Sequence, residues 1–170
     1  MMLLSTILLV LAIIALVAAV VLLVKPWWVA AVPAVAALLL LIWGKYITYM
    51  PTWKVALWVG AAIVAVGLRY LSPKGEPDGR NTGNVYIGLS ALAGALLGMV
   101  LSPDFILIGT ILGAFIGMMA YSRTPQGGWV KHGLVQYFCN KCLPAIVAAA
   151  LVGTSIEGII FYFETVNNYL

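Results

Sequence analysis

The chain has 170 residues, of which 64% are hydrophobic and only 8% are charged, with a formal net charge of +4. A soluble domain carries roughly 25% charged residues, so this composition cannot coat a water-facing surface, and a mean hydropathy of +1.11 makes lipid the matching solvent. At about 20 apolar residues per crossing, six membrane helices use most of the chain and leave room for short loops but not for a soluble catalytic domain.

Met1 to Val24 is an almost unbroken run of Leu, Val, Ile and Ala. It has no basic start, it exceeds the roughly 7–15 apolar residues of a signal-peptide core, and no small-residue cleavage site precedes Lys25. It reads as a retained first span, Met2 to Val24. Lys25-Pro26-Trp27-Trp28 ends it, and the paired tryptophans suit the headgroup level. The second span is expected from about Trp27 to Tyr46, with Pro33 inside it as a kink. Trp43, Lys45, Tyr46 and Tyr49 mark its far interface, and Met50-Pro51-Thr52 is a tight turn.

The third span runs from about Trp53 to Leu71, with Arg69 and Tyr70 at its end. Ser72 to Gly83 is the long polar stretch of the chain; two prolines and three glycines in its twelve residues mark a loop. It divides a single transmembrane domain into a three-span first half, 1–71, and a three-span second half, 84–170. The fourth span is about Asn84 to Leu101. After Ser102-Pro103-Asp104, where the Asp104 side chain is placed to cap the next helix, the fifth runs from Phe105 to Tyr121. Trp129 to Cys142 reads either as an interfacial helix or as the lead-in to a sixth span, Leu143 to Phe163.

Basic residues are unevenly distributed over the connections. Lys25, Arg69, Lys74, Arg80, Arg123, Lys131 and Lys141 fall on one side and Lys45 and Lys54 on the other, seven against two. The positive-inside bias then places the first side in the cytoplasm of a bacterial inner membrane and both termini outside. The same loop placement makes the net positive charge a matter of orientation and not of nucleic-acid binding. Arg69, Lys74 and Arg80 are also candidates for contact with anionic headgroups.

Two ladders of small residues stand out. Ser90, Gly94 and Gly98 in the fourth span and Gly109, Gly113 and Gly117 in the fifth recur every four residues, which puts each set on one helix face. In lipid no hydrophobic effect drives helices together, so close van der Waals approach over small residues takes its place. The short turn makes the two spans antiparallel neighbours, so the ladders either face each other in a hairpin or one of them serves a dimer interface.

Glu157 is the acidic residue expected inside a span. A carboxylate there is costly and faces the bundle interior or water. It lies about 9 Å from the outer end of its helix at 1.5 Å per residue, and Lys54, on the same side, is the best basic candidate to reach it. Either Glu157 is structural, as an ion pair, a protonated carboxyl with a hydrogen bond or a residue that reaches the interface, or it handles a proton or cation. Cys139-Asn140-Lys141-Cys142 is a C-x-x-C, but a structural zinc site needs four ligands and only His132 is near in sequence. The cysteines read as free thiols, and no metal, cofactor or catalytic set is expected.

The run Arg80-Asn81-Thr82-Gly83-Asn84, then Gly88, Gly94 and Gly98, a turn, and Gly109-Thr110-Ile111-Leu112-Gly113-Ala114-Phe115-Ile116-Gly117 resembles the bacterial small membrane proteins of the "domain of unknown function four-five-six" family. The resemblance covers about residues 53 to 163. It implies a three-span first half and a glycine-zipper hairpin after a basic loop, and no activity. The family's early Pro-Gly pairs are missing, and Met118 stands where an acidic residue often follows the last zipper glycine.

The expected protein is an all-α polytopic helical bundle in the lipid bilayer. Its expected role is that of a non-catalytic structural or accessory subunit, packing as a homodimer or in a larger membrane complex. The competing role is a small transporter or channel for an ion, solute or lipid, working through Glu157.

Overall fold

The computed structural model describes residues 2–24, 29–71 and 82–168, and is an all-α bundle with no strand among the described residues. In chain order it has α1 (Met2–Val24), α2 (Ala31–Trp43), α3 (Thr52–Leu71), α4 (Thr82–Leu101) and α5 (Phe105–Ser122). A 3-10 turn (Gly128–His132), α6 (Leu134–Tyr137), a π turn (Phe138–Cys142) and α7 (Leu143–Asn168) complete it.

Four stretches are long and apolar enough to cross a membrane: Leu3–Val24, Gly83–Leu101, Phe105–Ser122 and Leu134–Asn168. The other two apolar helices are shorter. α2 has 13 residues, about 20 Å at 1.5 Å per residue, against a hydrocarbon layer of about 30 Å. The apolar part of α3 is Thr52–Gly67. Six uniform crossings thus become four long helices and two shorter ones.

Three local expectations change with the backbone in view. Pro33 is the third residue of α2, not a mid-helix kink. In the first turn its missing N–H removes no helical bond. Asp104 precedes α5 with helical dihedrals, but its side chain makes no capping hydrogen bond. The turn is closed instead by main-chain bonds from Phe105 N–H to Ser102 and from Ile106 N–H to Pro103. Finally, the last helix begins earlier and ends later than the expected Leu143 to Phe163. From Leu134 onward it is continuous to Asn168, so residues 134–142 are the lead-in and only the 3-10 turn lies apart. The π turn sits directly before buried Pro144. A proline has no N–H for the carbonyl four residues back, and its ring presses on that carbonyl; a widened turn at 138–142 absorbs both demands.

α7 is the centre of the bundle and touches each of α1 to α5. Every residue from Pro144 to Gly153 is buried, and all are apolar. A helix that is hydrophobic on all sides belongs inside. Around it, α1 pairs with α2, and α4 pairs most closely with α5, while α3 packs mainly on α2, α7 and the π turn.

The two ends of the bundle are defined by contacts. At one end Ser5 Oγ donates to the Gly44 carbonyl at 3.0 Å, joining the start of α1 to the end of α2. The turn between α4 and α5 and the C-terminal part of α7 lie at this end too. At the other end a methyl on Gly88 would strike the Leu23 carbonyl oxygen, and one on Gly83 would strike the Tyr121 and Tyr137 side chains. The ends of α1 and α5 and the starts of α4 and α6 therefore meet there.

Candidate functional site

Among the described residues Glu157 is the only acidic side chain in the interior two-thirds of a long helix, so its surroundings come first. They are built by the chain that follows α2. Gly44 ends that helix, and Lys45 takes a left-handed backbone with φ of 64°, a conformation uncommon for a residue with a Cβ. The chain then folds back, and the N–H groups of Tyr46 and Ile47 both point at the Leu41 carbonyl, at 2.9 and 3.4 Å. Irregular backbone beside a membrane is tolerated where protein covers it and satisfies its polar groups, as at Tyr46 and Ile47, which are buried and bonded.

This reversal lays three side chains along α7. Ile47 is buried against Gly158, where a methyl would come within 2.5 Å of its side chain. Tyr46 stands edge-on to Tyr162 with ring centroids 4.7 Å apart. Tyr49 meets Phe161 edge-on at 5.3 Å, and its hydroxyl donates to Glu157 Oε2 at 2.5 Å. Burial raises the Tyr49 phenol well above its ordinary value, and the hydrogen bond to Glu157 and that carboxylate's charge push the same way. The phenol is therefore a fixed neutral donor to the carboxylate.

Lys54 does not take the part expected of it. It is exposed, its ammonium lies 5.7 Å from the centroid of the Trp53 ring, and among the described residues no ion pair joins it to Glu157. Tyr49 holds the carboxylate instead. The pair is separated by 108 residues in sequence, and the reading of Tyr49 as an interface aromatic missed it. A tyrosine expected on the same side as an intramembrane acid was the available signal.

The structure brings the two glycine ladders face to face. A methyl on Gly94 would overlap the Gly109 carbonyl oxygen and come within 3.1 Å of the Gly113 α-carbon; one on Gly113 would overlap the Ser90 carbonyl oxygen. Gly98 is matched with Phe105, and Gly117 with Tyr86, Ile87 and Ser90. The ladders thus meet each other within the α4–α5 hairpin. On its outer face the same absence of side chains leaves a shallow groove of about 390 Å³ between walls that include Leu97, Leu101, Ile108 and Leu112. A second apolar groove of about 320 Å³ lies between α2 and α3.

The remaining candidates are scattered. Arg69 falls in the last turn of α3, its side chain outside the described residues, and Lys74 and Arg80 also lie outside them. Cys139 is exposed and Cys142 buried, both as free thiols. Among the described residues no three of His, Cys, Asp and Glu gather as a metal site would require. No family model, curated protein or solved structure matches this chain.

Proposed function

We propose that this protein is a non-catalytic structural or accessory subunit of a bacterial inner membrane, packing with itself or with a larger membrane complex. The observation that carries this reading is the apolar buried stretch at the centre of the bundle. The ten residues Pro144 to Gly153 of α7 are buried and apolar, Glu157 is tied to Tyr49 near one end, and both grooves lie on outer faces with apolar walls apart from Ser90. A transport path requires polar groups or water deep in the membrane. Several outer faces are apolar and unpartnered, among them that of α3 with Trp53, Leu57, Ile63 and Val64 exposed.

Cross-linking in native membranes followed by purification in mild detergent tests the reading. A cross-linked copy of this chain or a reproducible partner is expected; a bare monomer under every condition overturns it. The alternative, a small transporter or channel working through Glu157, draws on one observation: that carboxylate is only half-buried and within reach of solvent at its end of the bundle. Ion or solute flux in proteoliposomes that disappears in Glu157→Gln would select it.

Charge separation supports the orientation with both termini outside. Among the described residues Asp104, Glu157 and Glu164 lie with Lys45 and Lys54 at the end shared by both termini, while the basic Arg123, Lys131 and Lys141 lie at the opposite end. The basic end is the cytoplasmic one by the positive-inside bias.

A further inference from the structure

The connection from α5 to α7 is compact, and its packing sorts its side chains sharply. Thr124 Oγ1 donates to the Tyr121 carbonyl at 2.7 Å and accepts from the Gly127 N–H at 3.1 Å. Gly127 is required there, since a methyl would overlap the Tyr121 carbonyl oxygen. This reversal buries Val130 and sets Trp129 edge-on to Tyr137 at 5.4 Å, with Tyr137 stacked on Tyr121 at 6.2 Å. With the aromatic side fixed inward, Arg123, Lys131 and His132 are left exposed. Beside them Leu134 and Val135 are 41% and 79% exposed at the start of α6.

Two cations and a histidine next to two bare aliphatic side chains have one natural setting. Exposed apolar residues on a short helix sit in the boundary between headgroups and acyl chains, and neighbouring basic side chains reach the phosphates above. Among the described residues these cations have no acidic neighbour: Asp104, Glu157 and Glu164 lie at the far end of the bundle. A neutral surface would need no such cluster, and an acidic one would repel no part of it.

We propose that Arg123, Lys131 and His132, with Leu134 and Val135 as an apolar wedge, form a binding site for the headgroup of an anionic phospholipid. Arg123 supplies a fork of N–H donors suited to phosphate oxygens, and Lys131 a compact ammonium. The aromatic packing behind them holds the backbone that carries these donors. The site rests on the membrane placement of the bundle and not on its accessory role, so a failure to find protein partners leaves it standing.

The test uses the full chain in nanodiscs of phosphatidylcholine with a minority of phosphatidylglycerol, reading co-purified lipid by native mass spectrometry. Phosphatidylglycerol is expected several-fold above its bulk fraction. The excess should shrink as salt rises, because exposed charges are screened. Each cation near an anionic surface contributes roughly fivefold, so Arg123→Gln/Lys131→Gln should lower the excess at least that much, and Arg123→Lys/Lys131→Arg should retain it. Val135→Asp should lower it with all cations intact. Melting temperatures of the variants guard against simple misfolding. No excess in the wild type, or an undiminished excess in the double Gln variant, overturns the proposal. So does competition by inorganic phosphate at the same concentration as lipid, which would mark a soluble-anion site instead.

Discussion

Gly94 and Gly109 are reciprocal: a methyl on either would run into the other's carbonyl oxygen. Neither helix can therefore move away from or along the other without losing the contact of main chain on main chain that holds them. Gly113 repeats the relation one turn on, against Ser90 and Gly94. Overpacking a close contact costs about 1–3 kcal/mol, and here the obstacle is backbone, which cannot swing aside. Gly94→Ala and Gly113→Ala should each fall at the upper part of that range, and Gly113→Leu should prevent normal folding. Gly60 in α3 is the control, since nothing lies within 4 Å of a methyl there. Gly60→Ala should be neutral or stabilise by up to about 1 kcal/mol, the intrinsic helix preference for alanine. Thermal unfolding in one detergent, compared across the set, measures all of these; equal effects at Gly60 and Gly94 would contradict the geometry.

The bond from Tyr49 to Glu157 should be measurable as a coupling. Tyr49→Phe removes the donor and leaves the ring against Phe161, and Glu157→Leu removes the acceptor at similar size. Each should cost about 1 kcal/mol, the usual net worth of a hydrogen bond, with the double variant costing clearly less than the sum. Lys54→Ala combined with Glu157→Gln should simply add, because Lys54 rests over Trp53 and not on the carboxylate. A coupling at Lys54 comparable to that at Tyr49 would reverse the assignment.

The raised phenol adds a pH signature. The ordinary value is about 10, and the folded-state value lies above it. Between the two, the unfolded chain has lost its proton while the folded one retains it. Stability falls with pH wherever the native state holds more protons than the unfolded one. The contribution is thus fully present below about pH 10 and is lost as pH rises above it. The wild type should lose melting temperature more steeply than Tyr49→Phe above that pH, and the two curves should run parallel below it.

Much of this architecture is written in local pattern. Long apolar runs mark α1, α4, α5 and α7, and the four-residue spacing of Gly94, Gly98, Gly109, Gly113 and Gly117 marks the faces that meet. What local pattern does not carry is the course of residues 44–50. That course depends on the docking of Ile47 onto Gly158 and Tyr46 onto Tyr162, contacts across more than a hundred residues. The same distance hides the partner of Glu157. Pro33 and Asp104 show a second limit: whether a proline kinks or starts a helix, and whether an acid caps one, depends on where the first turn falls to within two or three residues. The π turn is a third. Pro144 signals some disturbance, but only a helix continuous on both sides of it reveals that one widened turn is the solution.

The two ends of α5 give a direct test of orientation, because they carry opposite charge and are both at the surface. Asp104 and Arg123 flank the helix, and both are exposed. Single variants Asp104→Cys and Arg123→Cys, made with Cys139→Ser and Cys142→Ser so that no native thiol competes, place one reactive thiol at each end. A membrane-impermeant maleimide applied to right-side-out vesicles should label the position-104 variant and spare the position-123 variant; inverted vesicles should give the opposite pattern. The reason is energetic: positively charged connections are retained on the cytoplasmic side, and α5, 18 residues long or about 27 Å at 1.5 Å per residue, separates the two sites by nearly the full hydrocarbon thickness. Reversed labelling would place the termini inside, and labelling of both positions from one side would mean that α5 does not cross the membrane.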